Sequence, residues 1–182
     1  MNNGELTAQL ARILSQRFQE RAHVLFDHGD KMTDGADKVG VIRSWYGNIL
    51  TRDSLLSDLD IAVVVPNSNK VIALVEIEES SANPKTLLGD VFAILLGDHI
   101  TFQGKRELYV DSNSTLTVLA FSKSHVKISD HLSGQLQAHR GWNTRNSCVG
   151  RIVVGTYKDF AELEDKLTII IEQALGSRQS KI

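Results

Sequence analysis

At 182 residues, with 42% hydrophobic and 23% charged side chains, the chain has the size and composition of one globular domain with a real core. A formal net charge of −2 excludes a global basic field, so any anionic partner must be met by a local patch. The single cysteine, Cys148, excludes an internal disulfide and a cysteine-based zinc cluster.

Leu6, Leu10, Ile13, Leu14, Phe18, Ala22 and Leu25 recur at helical spacing and predict an amphipathic helix over about residues 5–26. That amphipathic character, and apolar runs short of the ~20 residues that span a bilayer, argue against a signal peptide or a membrane helix and for a cytoplasmic protein. A polar, glycine-containing loop follows, then a strand in VGVIRSWYG. Asp60 to Pro66 and Val71 to Glu78 are the clearest strands, joined by the short turn Asn67-Ser68-Asn69. Asn83-Pro84 supplies an N-cap and a proline at the first helical position, and Leu87, Leu88, Val91, Phe92 and Leu95 continue as an apolar stripe. Thr115 to Phe121 reads as a buried strand, Asp130 to His139 as a short helix, and Ile152 to Thr156 as a last strand. The closing helix carries Phe160, Leu163, Leu167, Ile170, Ile171 and Ala174 on one face. The order predicts an α/β fold around a central mixed β-sheet, in a single domain over 1–182 whose ends, 1–4 and 176–182, are flexible.

Two apolar strands with acids at one end pose a physical problem. IAVVV and VIALV have no polar face, which predicts strands covered on both sides. If Asn67 to Asn69 form the connection, Pro66 faces Lys70, Asp60 stands opposite Glu76, and Glu78 shares their face two residues on. A turn one residue shorter would put Asp60 and Glu76 on opposite faces. Two carboxylates roughly 5 Å apart repel by about 3 kcal/mol at an effective dielectric near 20. Either a carboxyl takes up a proton or a cation sits among them. With no Cys or His nearby in sequence, a hard ion such as Mg²⁺ or Mn²⁺ suits the oxygen donors. The plainer alternative is that the acids end their strands and point into solvent.

A strand opening on Asp60, a tight hairpin, a strand ending in Glu76-Ile77-Glu78 and a helix on either side resemble the PD-(D/E)xK nuclease superfamily, the restriction-endonuclease-like fold. The resemblance implies a three-layer core with helices flanking the sheet, and Mg²⁺-dependent hydrolysis of DNA. It implies that Asp60 and Glu76 hold the metal and that Glu78 stands where the commoner residue is lysine, as in restriction endonucleases with Glu-x-Glu. Glu78 then joins the metal set or activates water, or the site is degenerate and binds without cutting. Lys85, in the first turn after Pro84, is a candidate for the missing positive charge, and Glu20 for an additional metal ligand. Each also reads as an ordinary surface residue.

Two other readings compete. Gly47-Asn48 followed by Asp58-Leu59-Asp60 resembles the nucleotidyltransferase pattern, with Asn where Ser or Gly is expected; it implies Asp58 and Asp60 as metal ligands. A nuclease-derived DNA-binding or interaction module is the non-enzymatic alternative. AHRGWNTRNSCVGR gathers Arg140, Arg145, Arg151 and Trp142, side chains suited to phosphate contact and base stacking, or equally to a surface loop. Lys105-Arg106 is a second, weaker basic pair. Cutting both strands of DNA with one small domain implies a homodimer. The six histidines lack metal-ligand spacing, and Cys148 reads as a small buried residue.

Overall fold

The structure, a computed structural model, describes residues 5–27, 37–38, 41–79, 84–102, 106–122, 135–136 and 149–179. Helix α1 (Glu5–Phe18) buries Leu10, Ala11, Leu14 and Phe18. The backbone N–H groups of Arg21 and Ala22 close it by donating to the Phe18 carbonyl. It ends well short of residue 26, because His23–Phe26 is a strand, β1. Ala22 and Leu25 fit the helical spacing only by coincidence. Val24 and Phe26 enter one core and Leu25 the other, which a strand interior permits and one helical stripe does not.

Strands β2 (Asp37–Lys38), β3 (Ile42–Trp45), β4 (Leu55–Leu59), β5 (Ile61–Val64) and β6 (Val71–Glu78) follow, then helix α2 (Pro84–Leu95). After it come β7 (His99–Phe102), β8 (Arg106–Leu108), β9 (Thr115–Phe121), β10 (Arg151–Tyr157) and helix α3 (Phe160–Gln179). Helix α3 runs to Gln179, past the point where the sequence predicts a frayed end. Asp159 caps it by accepting the Glu162 N–H at 2.9 Å, and Glu162 reaches back to the Lys158 N–H at 3.0 Å.

The fold is α/β with a mixed central sheet of order β10-β9-β6-β5-β1-β2, flanked by helices. β5 and β6 are adjacent, antiparallel and interior, while β6, β9 and β10 run parallel. A second, four-stranded sheet of order β4-β3-β7-β8 was not legible in the sequence; its strands are short, and the β7–β8 hairpin joins it only through the long-range pairing of β3 with β7. Helices α1 and α3 cover one face of the central sheet, tied to each other by Arg21 on Glu172 at 2.7 and 2.9 Å. On the other face, Leu87, Val91, Ile94 and Leu95 of α2 join Leu74, Leu116 and Val118 of the central sheet and Ile42, Ile100 and Leu108 of the second sheet. The Ser44 hydroxyl donates to the Ala93 carbonyl at 2.8 Å and fastens α2 to β3. No helix among the described residues is long and apolar enough to cross a membrane.

The hairpin register is the one the sequence predicts, reached by a different turn. Val65 N–H donates to the Lys70 carbonyl at 2.9 Å, so four residues, Pro66 to Asn69, make the connection. Asn67 takes the left-handed conformation (φ 56°), which asparagine tolerates. A bulge at Val63/Val64 absorbs the one-residue offset, and Ile61 pairs with Val75. One step further, Asp60 lies opposite Glu76.

Candidate functional site

Asp60 is the single residue between β4 of the second sheet and β5 of the central one. Arriving from another sheet, the chain leaves β6 unpaired on its β5 side beyond Val75, and the Asp60 carboxylate fills that gap: its Oδ2 accepts the Ile77 N–H at 2.7 Å. The Asp60 carbonyl in turn accepts the Asp27 N–H at 3.0 Å, just past the end of β1. Asp60 is only 8% exposed. Glu76 and Glu78 pair with Val118 and Ala120 of β9, both in the core under α2, so the two acids share the α2 face of the sheet. They stand at the carboxyl ends of the parallel strands, the edge where open α/β sheets bind ligands.

Electrostatics make Glu76 the unusual member. Burial pushes its carboxyl well above the usual range. Asp60 and Asp90 push the same way and Glu78 adds to them, while a backbone hydrogen bond from Asp60 opposes the shift. Its Oε2 is sealed from solvent and has no hydrogen-bond partner among the described residues. A buried acceptor left so is costly unless a proton or cation reaches it. Asp90, on α2, is pushed up to about 6 by burial and then by Glu78. Burial also raises the Tyr157 phenol at the same edge, with Glu79, Asp60 and Glu78 contributing.

The site thus brings together Asp60, Glu76 and Glu78 as the sequence predicts, and adds Asp90. A signal for Asp90 was there: it is the one acid in PKTLLGDVFAIL, three residues after Leu87 and four before Ile94, at the margin of the apolar stripe. All the donors are carboxylate oxygens and one is sealed without a partner, a set that suits a hard cation such as Mg²⁺ or Mn²⁺. In the positions seen, no group of three or more His, Cys, Asp or Glu among the described residues is drawn around one point for ligation.

Other candidates lie elsewhere. Glu20 is exposed beyond α1, near the His23–Val64 end of the β1–β5 pair, about 13 Å along β5 from Asp60. That separation rules it out as a further ligand. Asp58 is exposed and ion-paired with Arg43 at 2.9 Å. Gly47 (φ 76°) donates its N–H to Asp98 Oδ2 at 2.6 Å, in the loop at the far end of β4, about 17 Å along the strand from Asp60. Lys85 is exposed on the first turn of α2. Arg151 opens β10 at the opposite edge of the sheet and bonds Gln173 of α3, hence on the opposite face from the acids. Arg106 lies over the Phe102 ring at 5.1 Å. Lys105, Arg140, Trp142, Arg145 and Cys148, and most of the helix predicted over 130–139, lie outside the described residues. Compared with known proteins, the chain matches no family model, no curated protein and no solved structure.

Proposed function

We propose that the protein is a divalent-cation-dependent nuclease acting on DNA, with a restriction-endonuclease-like core and with Asp60, Glu76 and Glu78 as its acidic residues. One observation carries this reading: the Glu76 carboxylate is buried among acids with one oxygen unpartnered, at the carboxyl edge of the sheet. Bound Mg²⁺ or Mn²⁺ would supply charge against the phosphoryl oxygens and lower the pKa of a water molecule. Glu76 would hold the ion through its sealed oxygen. Asp60 would offer its second oxygen while keeping the Ile77 N–H. Glu78, partly buried two residues on, would orient the water and take its proton. Lys85 and the arginines Arg140 and Arg145, with Trp142, are the proposed contacts to nucleic acid, and a duplex cutter of this size would act as a homodimer.

Incubation with supercoiled, single-stranded and branched DNA in 5–10 mM Mg²⁺ or Mn²⁺ (on the order of the concentrations that saturate such sites) tests the reading. Cleavage that is lost in Glu76→Gln supports it, and no cleavage of any substrate sinks it. The second reading, a non-cutting binding module of the same fold, is favoured by Asp60's commitment to the β6 backbone. Glu78→Lys separates the two, because restoring the commoner residue should keep some cutting in a live site and create none in a degenerate one. The nucleotidyltransferase reading loses support from the separation of Gly47 and Asp60.

A further inference from the structure

We infer that the connection between β3 and β4 is the interface through which two copies of this chain pair about a two-fold axis. The inference goes beyond the nuclease reading and does not depend on the acidic edge.

Loops at a surface ordinarily turn polar side chains outward. From Tyr46 to Leu56 the reverse holds. Tyr46 is 62% exposed and Ile49 73%, and Leu50 and Leu56 are exposed as well. Leu96, just past α2, stands at the same end of the second sheet. Asp98, two residues on, donates its N–H to the Trp45 carbonyl at 2.7 Å and accepts the Gly47 N–H at 2.6 Å. Polar groups of the loop bond to one another instead. The Tyr46 N–H donates to the Ser54 carbonyl at 2.8 Å and the Ser54 N–H to the Thr51 carbonyl at 3.0 Å. The Ser54 hydroxyl donates to the Ile49 carbonyl at 2.7 Å and accepts the Thr51 N–H at 3.0 Å. The apolar side chains are thus held out on a pre-ordered frame, which lowers the entropic cost of docking.

Size fits a protein partner. From their exposed fractions the five side chains present roughly 500 Å². That is about the apolar share of a standard interface, which buries roughly 800 Å² on each side. Charge selects a second copy. Arg52 and Asp53 are exposed side by side between Leu50 and Leu56, and neither is ion-paired among the described residues. About a two-fold axis Arg52 of one copy meets Asp53 of the other, and the contact forms twice. A nucleic acid or an anionic lipid surface would meet an acid beside the base and gain no net attraction. β4, which carries Leu56, is an end strand of the second sheet, and an antiparallel end strand can meet its own copy about the same axis. The loop lies at the end of β4 away from Asp60, so pairing leaves the acidic edge open.

Sedimentation velocity on the full chain tests this from about 1 to 200 µM, a range in which interfaces of this size associate. The samples are wild type, Ile49→Asp, Arg52→Asp, the double exchange Arg52→Asp with Asp53→Arg, and Ile169→Asp, an exposed apolar position on α3, as control. Wild type should form a dimer, with hydrogen exchange in residues 46–58 slowing as concentration rises. Ile49→Asp and Arg52→Asp should each weaken pairing on the order of tenfold or more. The double exchange should recover most of the loss of Arg52→Asp, and Ile169→Asp should match wild type. Melting curves check that each variant folds. A wild type that stays monomeric at the highest concentration, or an Ile49→Asp chain that pairs as tightly as wild type, overturns the inference. A monomeric wild type that sediments with phosphatidylcholine–phosphatidylserine vesicles assigns the loop to a lipid surface and overturns it equally. Cleavage and its loss in Glu76→Gln are measured separately, so the acidic site stands or falls on its own.

Discussion

Replacing Asp90 by Asn should stabilise the metal-free protein, and by an amount that depends on pH. Asp90 titrates near 6 in the folded chain instead of 3.8, so the folded state binds its proton more tightly than the unfolded state does. The stability tied to that proton is complete below about pH 4 and is lost as pH rises through about 6. A shift of about two pH units corresponds to about 3 kcal/mol. Asp90 is only partly buried, and solvent screening reduces this to about 1–1.5 kcal/mol. Asparagine carries no charge at any of these pH values. The gap between the variant and wild type should therefore be near zero at pH 4, open between pH 4 and 6, and stay flat above about pH 7. For a chain of this size the plateau corresponds to a rise of about 3–5 °C in melting temperature. Glu76, raised in the same direction by burial and by the same acids, steepens the wild-type loss of stability with rising pH. Urea denaturation at pH 4, 5, 6 and 7.5 in chelator-treated buffer measures the gap. An Asp90→Asn chain less stable than wild type at pH 7.5, or a gap that does not change with pH, would refute the reasoning.

Asp60 should separate charge from hydrogen bonding: Asp60→Asn keeps an acceptor for the Ile77 N–H, whereas Asp60→Ala orphans it. The alanine variant should be less stable than the asparagine one by about 1–2 kcal/mol in urea, and equal stability would contradict the capping role. Gly150→Ala would place a Cβ 2.0 Å from the Ser112 carbonyl oxygen, a backbone atom, and should cost about 3 kcal/mol; an unchanged denaturation midpoint would show that the turn yields freely. Ser44→Ala removes the tie to the Ala93 carbonyl and should cost about 1 kcal/mol, with faster hydrogen exchange concentrated in α2.

The sequence by itself determined the elements whose signal is local and strong. β9 appears over Thr115–Phe121 as its run of β-branched and apolar residues predicts, and α2 begins at Pro84, where proline's fixed φ favours the first helical turn. The stripe from Leu163 to Ala174 is the buried face of α3. The alignment of Asp60 with Glu76 was legible only through the turn assumed between the strands, since strands buried on both faces do not fix their own register. The turn itself was not: Pro66 to Asn69 make the loop and a bulge restores the register.

Only the tertiary structure decided where α1 stops, because Ala22 to Phe26 fits a helical spacing until a neighbouring strand claims it. It alone revealed the second sheet, whose short strands are joined through the long-range pairing of β3 with β7. It placed Arg151 on the face away from the acids and Gly47 at the wrong end of β4, since sequence proximity does not fix which face or end a side chain reaches. It laid α2, which carries Asp90, over the sheet face that carries Glu76 and Glu78, an arrangement set by packing and not by spacing along the chain.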